Sequence, residues 1–264
     1  MLKLNQQKFV RVLFDEFHSE SWTVSEARAK EMQPERPGYS SYQHAADVLA
    51  ARDFAVHRNL DKPLTRIDAD VLAILHPCES KWERTTGGSP VFSREELDAI
   101  SKFVEQGGGL LVVTEYEHDK YGDNLNELLA RFDMEIENTT IFDQQACLAG
   151  NPAWFFADVA AGSRELMHGV EKVCFYQAGS CRGDSVALSS RSGAGLIVLA
   201  QHGKGRVALI SDSLLFGDEH FAEYSNRQLW LNLIYWLSGP AFVQTTPPHL
   251  NPLPKGERRE EAVP

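Results

Sequence analysis

A chain of 264 residues with 43% apolar and 24% charged residues can bury a sizeable core as one large α/β domain. Its formal net charge of −11 argues against nonspecific binding to nucleic acid or to an anionic membrane, both of which need a cationic surface. No apolar run reaches the length of a membrane span, and the N-terminus lacks a basic–apolar–small signal pattern, so the expectation is a cytoplasmic protein without membrane insertion.

"FVRVLFD" (9–15) is a compact apolar run ending in acids, as in a buried parallel strand. The polar segment over 21–39, with "QPERPGYSS" at its end, reads as a loop, and as either a lid or a partner-binding arm. "SSYQHAADVLAARD" has a serine start and helical spacing of Tyr42, Ala46, Val48 and Leu49. "FAVHRN" reads as a second strand and "ADVLAILH" (69–76), apolar on both faces, as a central third. "TTGGSP" (85–90), flanked by Trp82 and Phe92, reads as a second lid. "SREELDAISKFVEQGGG" is a helix opened by a Ser93–Glu96 capping box and closed by glycine. "LLVVTE" is the next strand and "NLNELLARFD" the next helix, capped by Asn124.

The second half changes character. "KVCFYQ", "SVALSSR" and "GLIVLAQHGKGRVALISD" read as short, mostly antiparallel strands, with "HGKG" a hairpin turn and not a phosphate loop. "SNRQLWLNLIYWL" reads as a helix docked across the sheet, with Trp230, Tyr235 and Trp236 in the core. The expected fold is therefore α/β, a mostly parallel, flavodoxin-like central sheet flanked by helices, with an antiparallel extension in the C-terminal half. One domain over 1–243 is followed by a proline-rich, charged tail, 244–264, expected to be disordered.

"SREELDAISKFVEQGGGLLVVTE", "NLNELLARFDMEIEN", "HGKGRVALISDSLLF" and "NRQLWLNLIYWLSG" together resemble a branch of the class I glutamine amidotransferase-like superfamily. Trehalose-utilisation (ThuA-like) proteins, and domains attached to gliding-type transporters and intraflagellar-transport subunits, are similar. The resemblance covers residues 8 to 239. It implies the fold above, and the fold hosts both enzymes and inert binding modules. Amidotransferases of this superfamily place a cysteine in a G-x-C-x-G turn; at the matching position this chain has Glu115–Tyr116, with neither thiol nor flanking glycines. Cys–His–Glu amidotransferase chemistry is therefore not expected.

In an open α/β sheet, ligands bind beyond the carboxyl ends of the strands. The residues there are Asp15, Glu16, His18 and Glu20 after the first strand, and His76, Cys78 and Glu79 after the third. Glu115, Glu117, His118 and Asp119 follow the fourth, and Asp212, Ser213, Asp218 and His220 the last. Four histidines with nearby carboxylates, His18, His76, His118 and His220, are the ligand types for a divalent zinc, iron or manganese ion. Glu16, Glu115 and Asp212 are the candidate acid–base groups, and Asp15, Glu79, Glu117, Asn226 and Arg227 the candidate ligand contacts. Each has a bland counterpart: loops are polar in every α/β protein, Asp212 suits a turn, and Asn226 suits a helix cap. Cys78, preceded by Pro77, lacks the helix start that would activate a thiolate and reads as an ordinary cysteine.

The expected function is binding of a small polar ligand or metal at the strand ends, without amidotransferase activity. The alternatives are a metal-dependent hydrolase of an amide or glycoside-type substrate, and an interaction subunit, with a protein partner or as a homo-oligomer, whose crevice is inert.

Overall fold

The structure, a computed structural model, describes residues 9–19, 21–52, 54–81, 87–160 and 163–245. Glu20, Trp82, Thr85, Thr86 and residues 246–264, named above after the first strand, in the second lid and in the tail, lie outside the described residues.

As far as α4 the chain mixes strands and helices, with two helices between β1 and β2 and none between β2 and β3. The elements are β1 (Val10–Asp15), α1 (Glu26–Met32), α2 (Gln43–Ala50), β2 (Phe54–Asn59), β3 (Val71–Leu75), α3 (Arg94–Glu105), β4 (Gly109–Val113) and α4 (Leu125–Leu129). Short strands follow: β5 (Glu135–Glu137), β6 (Cys147–Leu148), β7 (Asn151–Phe156), β8 (Asp158–Val159), β9 (Cys174–Tyr176), β10 (Ser180–Arg182) and β11 (Ser185–Ser189). The hairpin β12 (Gly195–His202) and β13 (Gly205–Ile210) precedes the last helix, α5 (Asn226–Thr245).

The large sheet runs β2-β1-β3-β4-β13-β12-β10-β5, with β11 and β8 pairing beside β12; β6-β7-β9 form a separate antiparallel sheet. The first five strands are parallel. β12 turns the sheet antiparallel through the hairpin at Gly203, whose φ of 58° a glycine adopts without strain. The glycines of "HGKG" thus form the expected turn. Its second strand, however, is the fifth parallel strand, in register with β4 from Arg206↔Gly109 to Ile210↔Val113, and does not belong to an antiparallel extension.

All residues of β3 and β4 are buried, as apolar runs on both faces require. One face packs Phe14, Tyr42, Trp230 and Phe216; the other packs Leu72, Ile100, Leu110 and Leu128. α3 carries the capping box: Ser93 accepts from the Glu96 N–H, and the Glu96 carboxylate accepts from the Ser93 N–H.

Three local expectations change. Asn124 stands at the start of α4, but its side chain pairs with the backbone N–H and C=O of Phe92, leaving Asp123 to accept the Leu125 N–H. The polar 21–39 segment holds α1 and a 3-10 turn, and buries Trp22, Val24 and Ala29, so its apolar minority anchors it. Tyr235 of α5 is 43% exposed, against Phe54, whereas Trp230 is fully buried with its Nε1–H donated to the Ala45 carbonyl. Among the described residues no helix is long and apolar enough to cross a membrane.

Candidate functional site

Strand order reverses between β2-β1 and β3, so the carboxyl ends of β1, β3, β4 and β13 meet along one rim, as in other sheets of this kind. The structure gathers the sequence candidates there in four groups.

At the end of β1, the buried Asp15 accepts from Asn59 Nδ2 at 2.7 Å and faces His18 Nδ1 at 2.7 Å. The His18 ring lies against Phe92, and its Nε2 stands 3.1 Å from Glu96 Oε1, off the direction a hydrogen bond needs. Glu16, next in sequence, points elsewhere. Both its oxygens accept from Arg58, at 2.7 Å each, and it also accepts from the Thr23 hydroxyl and the Val24 N–H. Saturated in this way, Glu16 is a clamp between β1, β2 and the 21–39 segment, which leaves no lone pair aimed at a substrate.

The loops after β3 and β4 bring together His76, His118, Asp123 and Tyr121. His118 Nε2 lies 3.2 Å from Asp123 Oδ1, and the His76 ring stands edge-on to Tyr121 at 4.3 Å. Burial, then His118 and Lys120, push the His76 imidazole down to about 3, so it is neutral. Glu79 is exposed and accepts from Ser80, Glu117 is exposed beside Lys120, and the buried Cys78 thiol donates to the Ser80 carbonyl.

Glu115 and Asp212, at the ends of β4 and β13, form the third group. Both are buried. Burial pushes Asp212 up to about 7; burial and then repulsion from Asp212 push Glu115 well above the carboxylate range. Asp212 accepts one backbone N–H on each oxygen, from Tyr176 at 2.5 Å and Leu214 at 2.9 Å, which favours its ionised form. Among the described residues, Glu115 accepts only from Ser213 Oγ and, at 3.3 Å, from its neighbour's N–H. The proton of the pair therefore sits on Glu115. Tyr42 closes the group, donating to the Ser213 carbonyl at 2.5 Å.

The fourth group surrounds His220. Its ring stacks on Tyr176 at 3.7 Å, with Trp154 and Tyr39 edge-on at 6.0 and 6.2 Å. Its Nδ1 is 3.4 Å from Glu223 Oε2 in poor alignment, and burial lowers its pKa. Asn226 Nδ2 donates to the His220 carbonyl. Arg227 is exposed. Beside the rim, a cavity of about 380 Å³ is lined by Glu26, Gln43, His44, Asp47, Asp218 and Glu219 among others.

The structure thus pairs Asp15 with His18, His76 with His118, Glu115 with Asp212 and His220 with Asn226, and leaves Glu16, Glu79, Glu117 and Arg227 out. It adds Asn59, Glu96, Asp123, Tyr42 and Tyr176, none of which sequence reasoning selected as a site residue. Among the described residues, no group of three or more His, Cys, Asp and Glu side chains is placed to hold a metal ion.

Eight buried side-chain atoms among the described residues have no hydrogen-bond partner. They are His18 Nε2, Ser21 Oγ, His76 Nε2, His118 Nδ1, Asp123 Oδ2, both ring nitrogens of His220, and Asn226 Oδ1. That number is ordinary for a chain of this size. Their placement is not, because every one lies in a segment following β1, β3, β4 or β13. Three of the six non-glycine residues with positive φ among the described residues lie in these segments as well: His76, Glu117 and Tyr224, at 43°, 47° and 47°.

A family model described as a domain of unknown function (DUF4350) matches residues 85–234. No curated protein matches the sequence. Among solved structures, the chain is similar to one described as the mmIFT52 N-terminal domain, at 15% identity and TM-score 0.65, covering 86% of this chain and 97% of that one. It is also similar to a putative ThuA-like protein from Bacteroides uniformis, at 12% identity and TM-score 0.52, over 87% and 91% of the two chains. A cytoplasmic protein from Salmonella typhimurium LT2 matches at 13% identity and TM-score 0.51, over 89% and 99%. At such identities the likeness is one of fold.

Proposed function

Within the family described as a domain of unknown function (DUF4350), to which this chain belongs, we propose that the rim formed by the ends of β1, β3, β4 and β13 binds a small polar molecule. The parallel strand order and the ThuA-like neighbour support reading the chain as a flavodoxin-like, non-amidotransferase member of the glutamine amidotransferase-like superfamily. The observation that carries the binding reading is that all eight unpaired buried polar atoms among the described residues lie in the segments that follow these four strands. Each costs about 1–3 kcal/mol while unmatched, a cost that a bound polar molecule removes.

His220 provides the test. Both its nitrogens are unmatched, while its ring packs on Tyr176, Trp154 and Tyr39. His220→Phe keeps the aromatic packing and deletes the unmatched atoms. Its melting temperature without ligand is expected to rise by a few degrees, from roughly 1–2 kcal/mol of relief. In a thermal-denaturation screen of small polar molecules, compounds that stabilise the wild type are expected to lose their effect on this variant. A lower melting temperature with ligand response unchanged is the result that sinks the proposal.

The pair of Glu115 and Asp212 gives the hydrolase alternative its support, since an acid holding its proton near neutral pH suits general acid or base work. A zinc, iron or manganese ion in that chemistry would need a third ligand brought in by movement of the loops. Elemental analysis of protein purified without chelator decides: stoichiometric metal, lost in both His18→Ala and His118→Ala, replaces the small-molecule reading, and none is expected.

A further inference from the structure

Three of the unpaired rim atoms, carried by the loops after β3 and β4, define a chemistry. His118 Nε2 faces Asp123 Oδ1 at 3.2 Å, so Nε2 carries the proton and Nδ1 presents a lone pair. That Nδ1 is buried without a partner, and so is the second carboxylate oxygen, Asp123 Oδ2. His76, neutral and set against Tyr121, has an unpaired Nε2 that serves as donor or acceptor according to its tautomer. The backbone is strained on both sides, with positive φ at His76 and Glu117. The loops hold these groups in place against that strain.

Counting donors and acceptors selects the ligand. The group offers two fixed acceptors and one nitrogen of either role. A carboxylate or phosphate oxygen, which only accepts, would meet the His118 lone pair and the Asp123 charge. An ammonium would satisfy the acceptors but enters the positive field of Lys120, whose amino group lies 3.5 Å over the Tyr116 ring and whose charge acts on His76. A hydroxyl both donates and accepts and carries no charge. We infer that His76, His118 and Asp123 form a subsite for a neutral molecule that carries several hydroxyl groups. One hydroxyl donates to Asp123 Oδ2, a second, set apart from it on the same molecule, donates to His118 Nδ1 on the far side of the imidazole ring, and His76 Nε2–H donates back to one of them. The inference rests on the rim being a ligand site, and it adds which part of the rim and which chemistry.

The experiment is side-chain NMR of the histidine rings in the whole chain, titrated separately with myo-inositol, cyclohexanol, acetate and methylammonium. Myo-inositol is expected to shift the His76 and His118 signals, with the other three having little effect. Asp123→Asn keeps an acceptor toward His118 Nε2 and turns the second one into a donor. It is expected to weaken myo-inositol binding about tenfold or more. Acetate or methylammonium acting in place of myo-inositol overturns the ligand class, and cyclohexanol acting equally overturns the need for more than one hydroxyl. No shift at either ring with myo-inositol overturns the subsite. Shifts confined to His220 do so as well, while leaving the broader rim reading intact. The wild-type titration decides even where the variant does not fold.

Discussion

Arg58→Met is expected to lower the unfolding free energy by about 2–4 kcal/mol, because it leaves a buried carboxylate without its cation. Glu16 is fully buried at its side chain, whereas the Arg58 side chain is 31% exposed, so the pair is half embedded and its cost is set below that of a wholly buried one. Two guanidinium hydrogen bonds of 2.7 Å vanish together. The carboxylate keeps only the Thr23 hydroxyl and the Val24 N–H, with no cation to balance its charge. The 21–39 segment is tied down at this point, so its amides are expected to exchange faster with solvent in the variant. The double variant Glu16→Gln, Arg58→Met is expected to recover part of the loss, since removing both charges leaves no uncompensated one. Denaturant melts of the four proteins in the cycle check this. An Arg58→Met midpoint equal to the wild type, with an unchanged m-value, would mean that the clamp holds nothing.

That clamp also marks the limit of what the sequence discloses. The apolar runs read as strands over 69–76 and 110–115 mark β3 and β4, legible because both faces of a central parallel strand must be apolar. At the 9–15 run, by contrast, Phe9 is exposed and β1 begins at Val10. The helix over 94–105 is legible because Ser93 and Glu96 announce its start within four residues. Partners far apart along the chain leave no such mark. Arg58 reads as the polar end of a strand, and only the parallel pairing of β1 with β2 sets it against Glu16, 42 positions away. The pairing of β13 with β4 joins Ile210 to Thr114 across 96 positions, and the hairpin glycines beside it suggest an antiparallel neighbour alone.

The site shows the same division. Acids and imidazoles at strand ends could be collected by position, and eight of the twelve residues selected reach one of the four rim groups, which follows from chain geometry: side chains just past a strand stay near its end. Asp123 escaped because it lies eight residues beyond Glu115, in a turn that reads as the approach to a helix. Tyr42 escaped because helical spacing explains it fully, and nothing local shows that its hydroxyl reaches the Ser213 carbonyl. Which candidates have partners and which do not is a property of the folded chain only, and that difference separates Glu16 from His118.

Glu115→Gln is expected to make the protein more stable above neutral pH and to leave it nearly unchanged below about pH 4. Both acids of the pair have folded pKa values above the ordinary carboxylate range, Asp212 at about 7. An acid raised in this way keeps its proton in the folded chain at pH values where the unfolded chain has already lost it. The unfolded state then binds fewer protons, so stability falls as pH rises from about 4 through the folded value, and the penalty is complete above it. At about 1.4 kcal/mol per unit, the rise of Asp212 from 3.8 to about 7 alone corresponds to about 4 kcal/mol between the acidic and the alkaline side. Glutamine removes the Glu115 titration while its amide oxygen still accepts from Ser213 Oγ, so the part of the fall that Glu115 adds is expected to disappear, and the part due to the buried Asp212 to remain. Asp212→Asn gives the contrasting result. Both Asp212 oxygens accept backbone N–H groups, from Tyr176 and Leu214, and an amide must turn its NH₂ toward one of them. That variant is expected to be less stable than the wild type at every pH. Melting temperatures of the three proteins across the pH range test the assignment of the proton to Glu115. A Glu115→Gln curve parallel to the wild type, or an Asp212→Asn curve rising above it in alkali, places the proton on the other carboxylate or removes the pair from the titration.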